Sequence, residues 1–195
     1  MKKATLQDKI VPFDEALHIL LRGGVGILPT DTVYGLATRA DSPQGVARLY
    51  AIKHRERKPG TIIAASTEQL ASLGVDKKYL RKVEQWWPNP LSVIVPTGQG
   101  LFYLHQGLDS LPMRIPQDET LRTFLGKTGP LATSSANQPG ETESRNLEEA
   151  WAYFGNDVDF YVDGGDMSGR KPSTIIRINQ GGDIEVLRNG AVKII

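Results

Sequence analysis

Apolar side chains recur at two spacings along the chain, one typical of helices and one typical of strands. Residues 12–22 carry them at helical spacing and are followed by Gly23 and Gly24, which predicts a helix that ends there. Residues 25–28 form a short apolar run, which predicts the first strand. The polar residues 29–32 follow at once, where a sheet commonly presents polar groups to a ligand.

A second helix is predicted to begin after Ser42, whose hydroxyl can cap it, with Pro43 in its first turn. Lys53 lies on the continuation of the apolar stripe of this helix, which comprises Val46, Leu49 and Tyr50. A further apolar run at 61–65 predicts a strand. Residues 27–66 therefore have the size of one βαβ unit.

The rest of the chain continues this mixture of elements. Helices are predicted after Ser66 and over 77–86, 118–124 (ended by Gly126) and 146–154. Strands are predicted over 91–96, 111–116, 158–162, 172–178 and 184–188, the last two as a β-hairpin. These are more strands than a simple doubly wound fold uses, so the predicted fold class is α/β (α+β).

The composition is that of an ordinary globular protein, with 39% hydrophobic and 23% charged residues. We expect a single domain over residues 1–195, a length that can bury a full core. A net charge of +1 argues against a dedicated nucleic-acid coat, which is usually strongly basic. The sequence has no cysteine and no apolar run of membrane-spanning length, so we expect a cytoplasmic protein with no membrane partner.

The densest group of positive charges follows the second predicted helix. It is opposed by Glu56 alone and consists of Lys53, His54, Arg55, Arg57 and Lys58. Cations near a helix C-terminus suit the helix dipole, so a solvated helix end is one interpretation. The strand predicted just beyond would instead hold the group on a short loop beside the sheet, where it could bind an anion.

Residues 129–140 pass from a short apolar start into small hydroxylated residues, Asn137 and a Pro-Gly turn. Small residues let a backbone approach a ligand closely, and hydroxyl, amide and N–H groups suit phosphate or carboxylate. A serine-rich turn with local side-chain-to-backbone bonds is the alternative. The sequence contains no P-loop, dinucleotide-binding glycine fingerprint, His/Cys metal motif or Gly-x-Ser-x-Gly elbow.

Arg114 interrupts the apolar run at 111–116. The period of two puts its side chain on the opposite face from Met113 and Ile115. That face is either a cleft or solvent, and the sequence favours neither.

Three stretches together resemble the YrdC/TsaC family. The first is Pro-Thr-Asp-Thr-Val-Tyr-Gly-Leu at 29–36, and the second combines Lys53-x-Arg55 with Ser135-x-Asn137. The third is Pro-Ser-Thr-Ile at 172–175, followed by Leu-Arg-x-Gly at 187–190. The likeness extends over residues 10–190 and depends on the joint order and spacing of the motifs.

The resemblance implies a twisted mixed sheet flanked by helices, with a concave, positively charged cavity. It also implies synthesis of threonylcarbamoyl-AMP and pyrophosphate from L-threonine, bicarbonate or CO2, and ATP, with Mg²⁺ on the phosphates. The product would serve threonylcarbamoyladenosine modification of tRNA, so tRNA and the transfer machinery are implied partners.

The resemblance also implies roles for individual residues. Residues expected to act in catalysis are Lys53, Arg55, Ser135 and Asn137. The same four residues, joined by Arg188, would bind ATP. Residues expected to hold L-threonine are Thr30, Thr32, Arg114, Thr133 and Ser173, with the arginine matching the threonine carboxylate.

The likeness is incomplete at two places. The family commonly has three residues between its signature arginine and the next lysine, whereas two separate Arg55 from Lys58, so Lys58 receives no role. Two-domain relatives carry a histidine on the following strand, and residues 62–65 contain none. We therefore expect a stand-alone catalytic domain.

Other functions are compatible with the same motifs. A YciO-like homologue would have a similar cavity and unassigned chemistry. A module that binds double-stranded RNA or tRNA through the basic cavity would show a broad basic face and a steep salt dependence. A carbamoyl-transfer domain of hydrogenase maturation is less favoured, because accompanying domains would be expected.

Overall fold

A computed structural model describes residues 4–54, 58–178 and 183–194 of the chain. The α-helices of this part are Phe13–Leu21 (α1), Pro43–Ile52 (α2), Thr67–Ser72 (α3), Lys77–Val83 (α4), Phe102–His105 (α5), Glu119–Thr128 (α6) and Leu147–Phe154 (α7). Its strands are Gly26–Leu28 (β1), Gly35–Arg39 (β2), Thr61–Ile63 (β3), Leu91–Pro96 (β4), Ser110–Arg114 (β5), Leu131–Ser135 (β6), Phe160–Tyr161 (β7), Thr174–Ile178 (β8) and Ile184–Arg188 (β9).

All nine strands belong to one mixed sheet in the order β7-β1-β2-β6-β3-β5-β4-β8-β9. The pairs β1–β7, β3–β5 and β4–β8 are parallel, and the other neighbours are antiparallel. The predicted α/β (α+β) class is confirmed. Residues 27–66 have the size of a βαβ unit but do not form one, because β1, β2, β6 and β3 are successive antiparallel neighbours and β1 and β3 therefore run in opposite directions.

Helix starts follow the polar caps that the sequence predicts. The Ser42 hydroxyl accepts a hydrogen bond from the Gly45 N–H, and Pro43 opens α2. Ser66, Asp118 and Asn146 accept equivalent bonds at the starts of α3, α6 and α7. These caps satisfy N–H groups that a helix start leaves without a partner, which explains why these starts were predictable.

Two buried clusters lie against the sheet. The larger includes residues from α2, α4 and α7, and the smaller joins α1 and α6 to β1, β2, β3 and β6. Trp87 belongs to the larger cluster, and the partly buried Trp86 packs against it. Strands covered on both faces lose the alternating pattern, and β2 is buried at four consecutive positions.

Three element predictions need correction. No strand is predicted where β2 forms, because Gly35–Arg39 is short, rich in small residues and shows no alternation. Helix α6 continues through Gly126, where we expected it to end. Leu125 and Thr128 are buried in its last turns, and Gly129, at φ 81°, provides the C-terminal stop. The short α5 was not predicted.

The C-terminal hairpin is confirmed as an antiparallel pair of β8 and β9. Its predicted turn at 180–182 lies outside the described residues. This pair brings Arg188 beside Ser173, which immediately precedes β8.

Candidate active site

A small cavity of about 50 Å³ opens where several strands end in the middle of the sheet. It is bounded by the loop between β1 and β2, by the ends of β5 and β6, by the start of β3 and by the segment before β8. Its lining residues are Thr30, Thr32, Val33, Tyr34, Gly35, Thr61, Arg114, Thr133, Ser134, Ser135, Pro172 and Ser173. All five residues predicted to hold threonine are among them.

The loop after β1 is held by its own hydroxyl groups. Thr30 Oγ1 donates to the Val33 carbonyl at 2.6 Å and accepts from the Thr32 N–H at 3.2 Å. The Thr30 and Thr32 hydroxyl oxygens lie 3.1 Å apart. Tyr34 ties this loop to residues 164–165, because its hydroxyl accepts from the Gly164 N–H and donates to the Gly165 carbonyl. These bonds fix both threonine hydroxyls at the cavity wall.

Arg114 is 4% exposed and lines the cavity from the end of β5. Its Nη1 donates to Thr32 Oγ1 at 3.2 Å, and its Nη2 lies 3.1 Å from Asp31 Oδ1 in an ion pair. The second carboxylate oxygen of Asp31 accepts from the Gln117 N–H at 3.1 Å. The sequence left open whether the Arg114 side chain faces a cleft or solvent, and the structure shows that it lies in a cleft.

Arg114 Nε is buried and has no hydrogen-bond partner among the described residues. Burial lowers the pKa of Arg114, while the Asp31 carboxylate opposes this effect and Arg188 adds to it. A guanidinium remains charged even so. The cavity wall therefore contains a buried cation with an unpaired N–H group, which suits an anionic ligand.

Arg188 is anchored to the segment before β8. Its Nε and Nη2 donate to the Ser173 carbonyl at 3.0 and 2.7 Å, and Nη2 also lies 3.0 Å from Ser173 Oγ. The Ser173 and Ser92 hydroxyl oxygens are 3.0 Å apart. Burial lowers the pKa of Arg188, opposed by Glu143. Ser173, predicted to bind threonine, is thus in direct contact with Arg188, predicted to bind ATP.

The other wall depends on close approach of β3 and β6. Thr133 Oγ1 donates to the Thr61 carbonyl at 2.8 Å. A Cβ at Gly60 would lie 2.3 Å from the Thr133 carbonyl oxygen, so only glycine allows this approach.

Lys53 is 2% exposed, so the solvated helix end is wrong for this residue. Its ammonium donates to the Ser135 carbonyl at 2.8 Å, to Asn137 Oδ1 at 3.0 Å and to the Asn137 carbonyl. Ser135 Oγ donates to the same Asn137 Oδ1 at 2.7 Å. The structure therefore brings together the two halves of the Lys53 and Ser135-x-Asn137 motif. Arg55, the remaining member, lies outside the described residues.

A wider groove of about 1340 Å³ begins at Lys53 and runs between α2 and α5. His54 and Lys58 line it together with Tyr50, Phe102 and Tyr103. His54 and Lys58 are exposed, unlike Lys53. Among the described members of the cationic group, Lys53 is thus buried and the other two are exposed.

Sequence reasoning missed two polar residues of the site. Asp31 belongs to the first motif, and it lies between Thr30 and Thr32, two predicted site residues, which could have indicated that it is part of the site. Ser92 lies on a strand with no polar pattern, and its contact with Ser173 depends on the parallel pairing of β4 and β8. No three His, Cys, Asp or Glu side chains come together as a metal site among residues 4–54, 58–178 and 183–194.

Comparison with known families decides the relationship. The family model Sua5_yciO_yrdC, described as "Telomere recombination", matches residues 18–190. The chain belongs to this family. The resemblance found from the motifs is confirmed, and so is the mixed sheet with helices that it implied.

A curated relative from Idiomarina loihiensis, named threonylcarbamoyl-AMP synthase, is 30% identical over 171 residues, which are 83% of this chain and 91% of that protein. The structure of P. abyssi Sua5 complexed with L-threonine has a TM-score of 0.80 at 25% identity and matches 97% of this chain. The chain spans 56% of that protein's length.

The structure of E. coli YciO has a TM-score of 0.79 at 22% identity, covering 95% of this chain and 94% of YciO. At this identity the likeness concerns the fold alone. In the described part of the chain, every helix is too short or too polar to cross a bilayer.

Proposed function

We propose that this protein is an L-threonylcarbamoyladenylate synthase. It would convert L-threonine, bicarbonate or CO2, and ATP to threonylcarbamoyl-AMP and pyrophosphate. The observation that carries the proposal is the cavity shared by Thr30, Thr32, Arg114, Thr133 and Ser173. The relative named threonylcarbamoyl-AMP synthase and the threonine complex of Sua5 support the same activity.

Threonine would bind with its carboxylate on Arg114. The guanidinium already uses Nη1 toward Thr32 and Nη2 toward Asp31, yet each Nη carries two N–H groups and Nε has no partner among the described residues. The threonine carboxylate would therefore complete the hydrogen bonding of a preformed donor. The neighbouring hydroxyls of Thr32, Thr133 and Ser173 would meet its polar groups.

The reaction has two steps. The threonine amine first combines with bicarbonate to give a carbamate and water. A carbamate oxygen then forms a bond to the α-phosphorus of ATP while the bond to pyrophosphate breaks. Negative charge is spread over the phosphate oxygens and the leaving group, so positioned cations are the main contribution that the protein can make.

ATP would lie on the side of the cavity marked by Ser135 and Arg188, next to the Lys53 and Asn137 network. The motif assigns Arg55 to the same ligand. The described bonds of Arg188 use Nε and Nη2, so Nη1 is the group that would meet a phosphate oxygen. Mg²⁺ usually binds one or two carboxylates together with substrate phosphates. Because Asp31 is engaged by Arg114 and Gln117, we expect Mg²⁺ to enter as MgATP, as part of the substrate.

The product is a reactive mixed anhydride, so a transferase would have to consume it. We propose that it serves threonylcarbamoyladenosine formation on tRNA in the cytoplasm, through a separate transfer machinery.

Pyrophosphate release by the purified chain tests the proposal. We expect release from MgATP only when threonine and bicarbonate are both supplied. If the folded protein bound neither ATP nor threonine in calorimetry, this result would instead favour an RNA-binding module or a YciO-like homologue.

A further inference from the structure

The ammonium group of Lys53 has its hydrogen-bonding capacity filled by protein. An ammonium has three N–H donors, and three oxygen atoms of residues 135–137 accept from it. The side chain is 2% exposed. A phosphate oxygen could bind this group only if one buried carbonyl lost its donor, which is unfavourable.

The same bonds shape the segment that follows β6. The Ala136 N–H donates to the Tyr34 carbonyl, and the Ser144 N–H donates to the Ala136 carbonyl, so this segment is held from both sides. Asn137 Nδ2 donates to the Glu141 carbonyl at 2.6 Å and closes the next turn. Lys53 supplies the donors for the Ser135 and Asn137 carbonyl groups. Without it, the two carbonyls and the Asn137 amide oxygen would lose their cationic partner.

Asn137 Oδ1 transmits this constraint to the cavity. It accepts from Lys53 and also from Ser135 Oγ, whose residue lines the cavity. The Ser135 hydroxyl is thereby oriented with its proton toward Asn137 and its lone pairs elsewhere. Lys53 therefore acts on a cavity residue through an intermediate side chain.

We propose that Lys53 is a positioning residue, which fixes Ser135 and Asn137 and does not itself contact the ATP phosphates. The kinetic part of this inference rests on the proposed synthase function, whereas the structural part does not. It divides the cationic motif into a buried structural lysine and an arginine that remains the candidate phosphate ligand.

Hydrogen exchange of the free protein tests the structural part. In Lys53→Met we expect the amides of Ala136, Asn137 and Ser144 to exchange about tenfold faster or more, with little change in β4. Lys127→Met on α6 is the control, because that lysine is 58% exposed and lies outside the site. Unchanged protection at residues 136–144 in Lys53→Met would overturn the proposal, whatever reaction the protein catalyses.

A double-mutant cycle tests the kinetic part, with circular dichroism to verify that each variant is folded. If Lys53 acts through Asn137, the kcat/KM for ATP of Lys53→Met/Asn137→Ala should lie within about twofold of the poorer single variant. An independent phosphate contact would instead make the two losses multiply, and this result would overturn the proposal. If the wild type shows no turnover, the synthase function fails, and the exchange experiment still decides the role of Lys53.

Discussion

The guanidinium of Arg114 lies 3.1 Å from the carboxylate of Asp31, and both side chains are 5% exposed. The pair joins the end of β5 to the loop after β1. Arg114 lines the cavity, and its guanidinium is held there by this ion pair and by its bond to Thr32. A cation held in this way is positioned before any ligand arrives, which reduces the entropy lost on binding.

Arg114→Ala should weaken threonine binding about tenfold to a hundredfold. The reason is the loss of a charge-assisted hydrogen-bonded pair with the threonine carboxylate, worth about 1.5–3 kcal/mol. Calorimetric titration of the folded variant with threonine measures the change. Unaltered threonine affinity together with weakened ATP binding would show that the assignment of Arg114 is wrong.

The same substitution also leaves Asp31 buried without a counter-charge, at a cost of about 3–5 kcal/mol in the free energy of unfolding. The double variant Asp31→Asn/Arg114→Ala removes this charge. We expect it to regain much of the stability in thermal unfolding and none of the threonine affinity. This comparison separates damage to the fold from damage to the site.

Gly190→Ala should disturb the wall formed by Ser173. A Cβ at Gly190 would lie 2.2 Å from the Pro172 carbonyl oxygen and 2.6 Å from the Ser173 carbonyl carbon, so the backbone must move. We expect a loss of about 1–3 kcal/mol in the free energy of unfolding, as for other overpacked positions, and a higher KM for threonine. Chemical denaturation and initial rates measure the two effects.

Gly126→Ala is the matched control for this change. A Cβ at Gly126 meets nothing within 4 Å, and the residue lies inside α6. Alanine favours the helix there by about 0.5–1 kcal/mol. If the Gly126 and Gly190 variants behaved alike, the close approach at Gly190 would have no influence on the site.

Local signals account for the parts of the fold that the sequence predicted. Capping side chains such as Ser42 and Asn146 act within their own helix, so their effect is visible in a short window. The alternation around Arg114 left a cleft and solvent equally open, and only the structure shows that the side chain is buried at the cavity. The sheet order is not local, because β6 inserts between β2 and β3 from a distant part of the chain.

The sequence predicted which residues belong to the candidate site, but only part of the hydrogen bonding and ion pairing between them. The motifs named Lys53 and Asn137 together, yet they did not show that the lysine's protons are used by the Ser135–Asn137 segment. The partnership of Asp31 with Arg114 was missed for a similar reason. Each depends on which atoms meet after distant strands have paired.

The ion pair between Arg48 and Asp159 should make stability depend on pH in the acidic range. Arg48 Nη1 and Nη2 donate to the two carboxylate oxygens at 2.6 and 2.9 Å, and the Val25 N–H donates to Asp159 at 2.8 Å. Burial alone would raise the pKa of Asp159, but the bonds from Arg48 and Val25 lower it overall. The folded state therefore binds a proton at Asp159 less readily than the unfolded state.

A carboxylate with a lowered folded-state pKa stabilises the protein above its unfolded pKa of about 3.9, and this contribution is lost as the pH falls through the folded value. We expect Asp159→Asn to cost about 1 kcal/mol at pH 7, a value discounted because the pair is partly exposed. The difference from wild type should shrink below about pH 4 in denaturant titrations. Asp14→Asn, at a side chain 87% exposed, should show little change at any pH. A constant difference for Asp159→Asn from pH 7 to pH 3 would contradict the linkage.

Arg55→Ala should lower the rate of pyrophosphate release by about two orders of magnitude or more. Arg55 lies outside the described residues, so this prediction comes from the motif that it shares with Lys53. A preorganised cation at the reacting phosphate commonly contributes a factor of this size to kcat. Initial rates at saturating ATP, threonine and bicarbonate measure the effect.

Two further variants separate a phosphate contact from surface charge. Arg55→Lys should not restore the full rate, because a point charge cannot reproduce the guanidinium fork. Arg57→Ala removes a neighbouring charge that the motif does not include, and it should leave turnover close to that of wild type. An exposed charge would change stability by about 1 kcal/mol at most and would leave the rate unchanged. Equal rates for wild type and Arg55→Ala, both folded and saturated with substrates, would therefore assign Arg55 to the protein surface and remove the strongest chemical support for the synthase function.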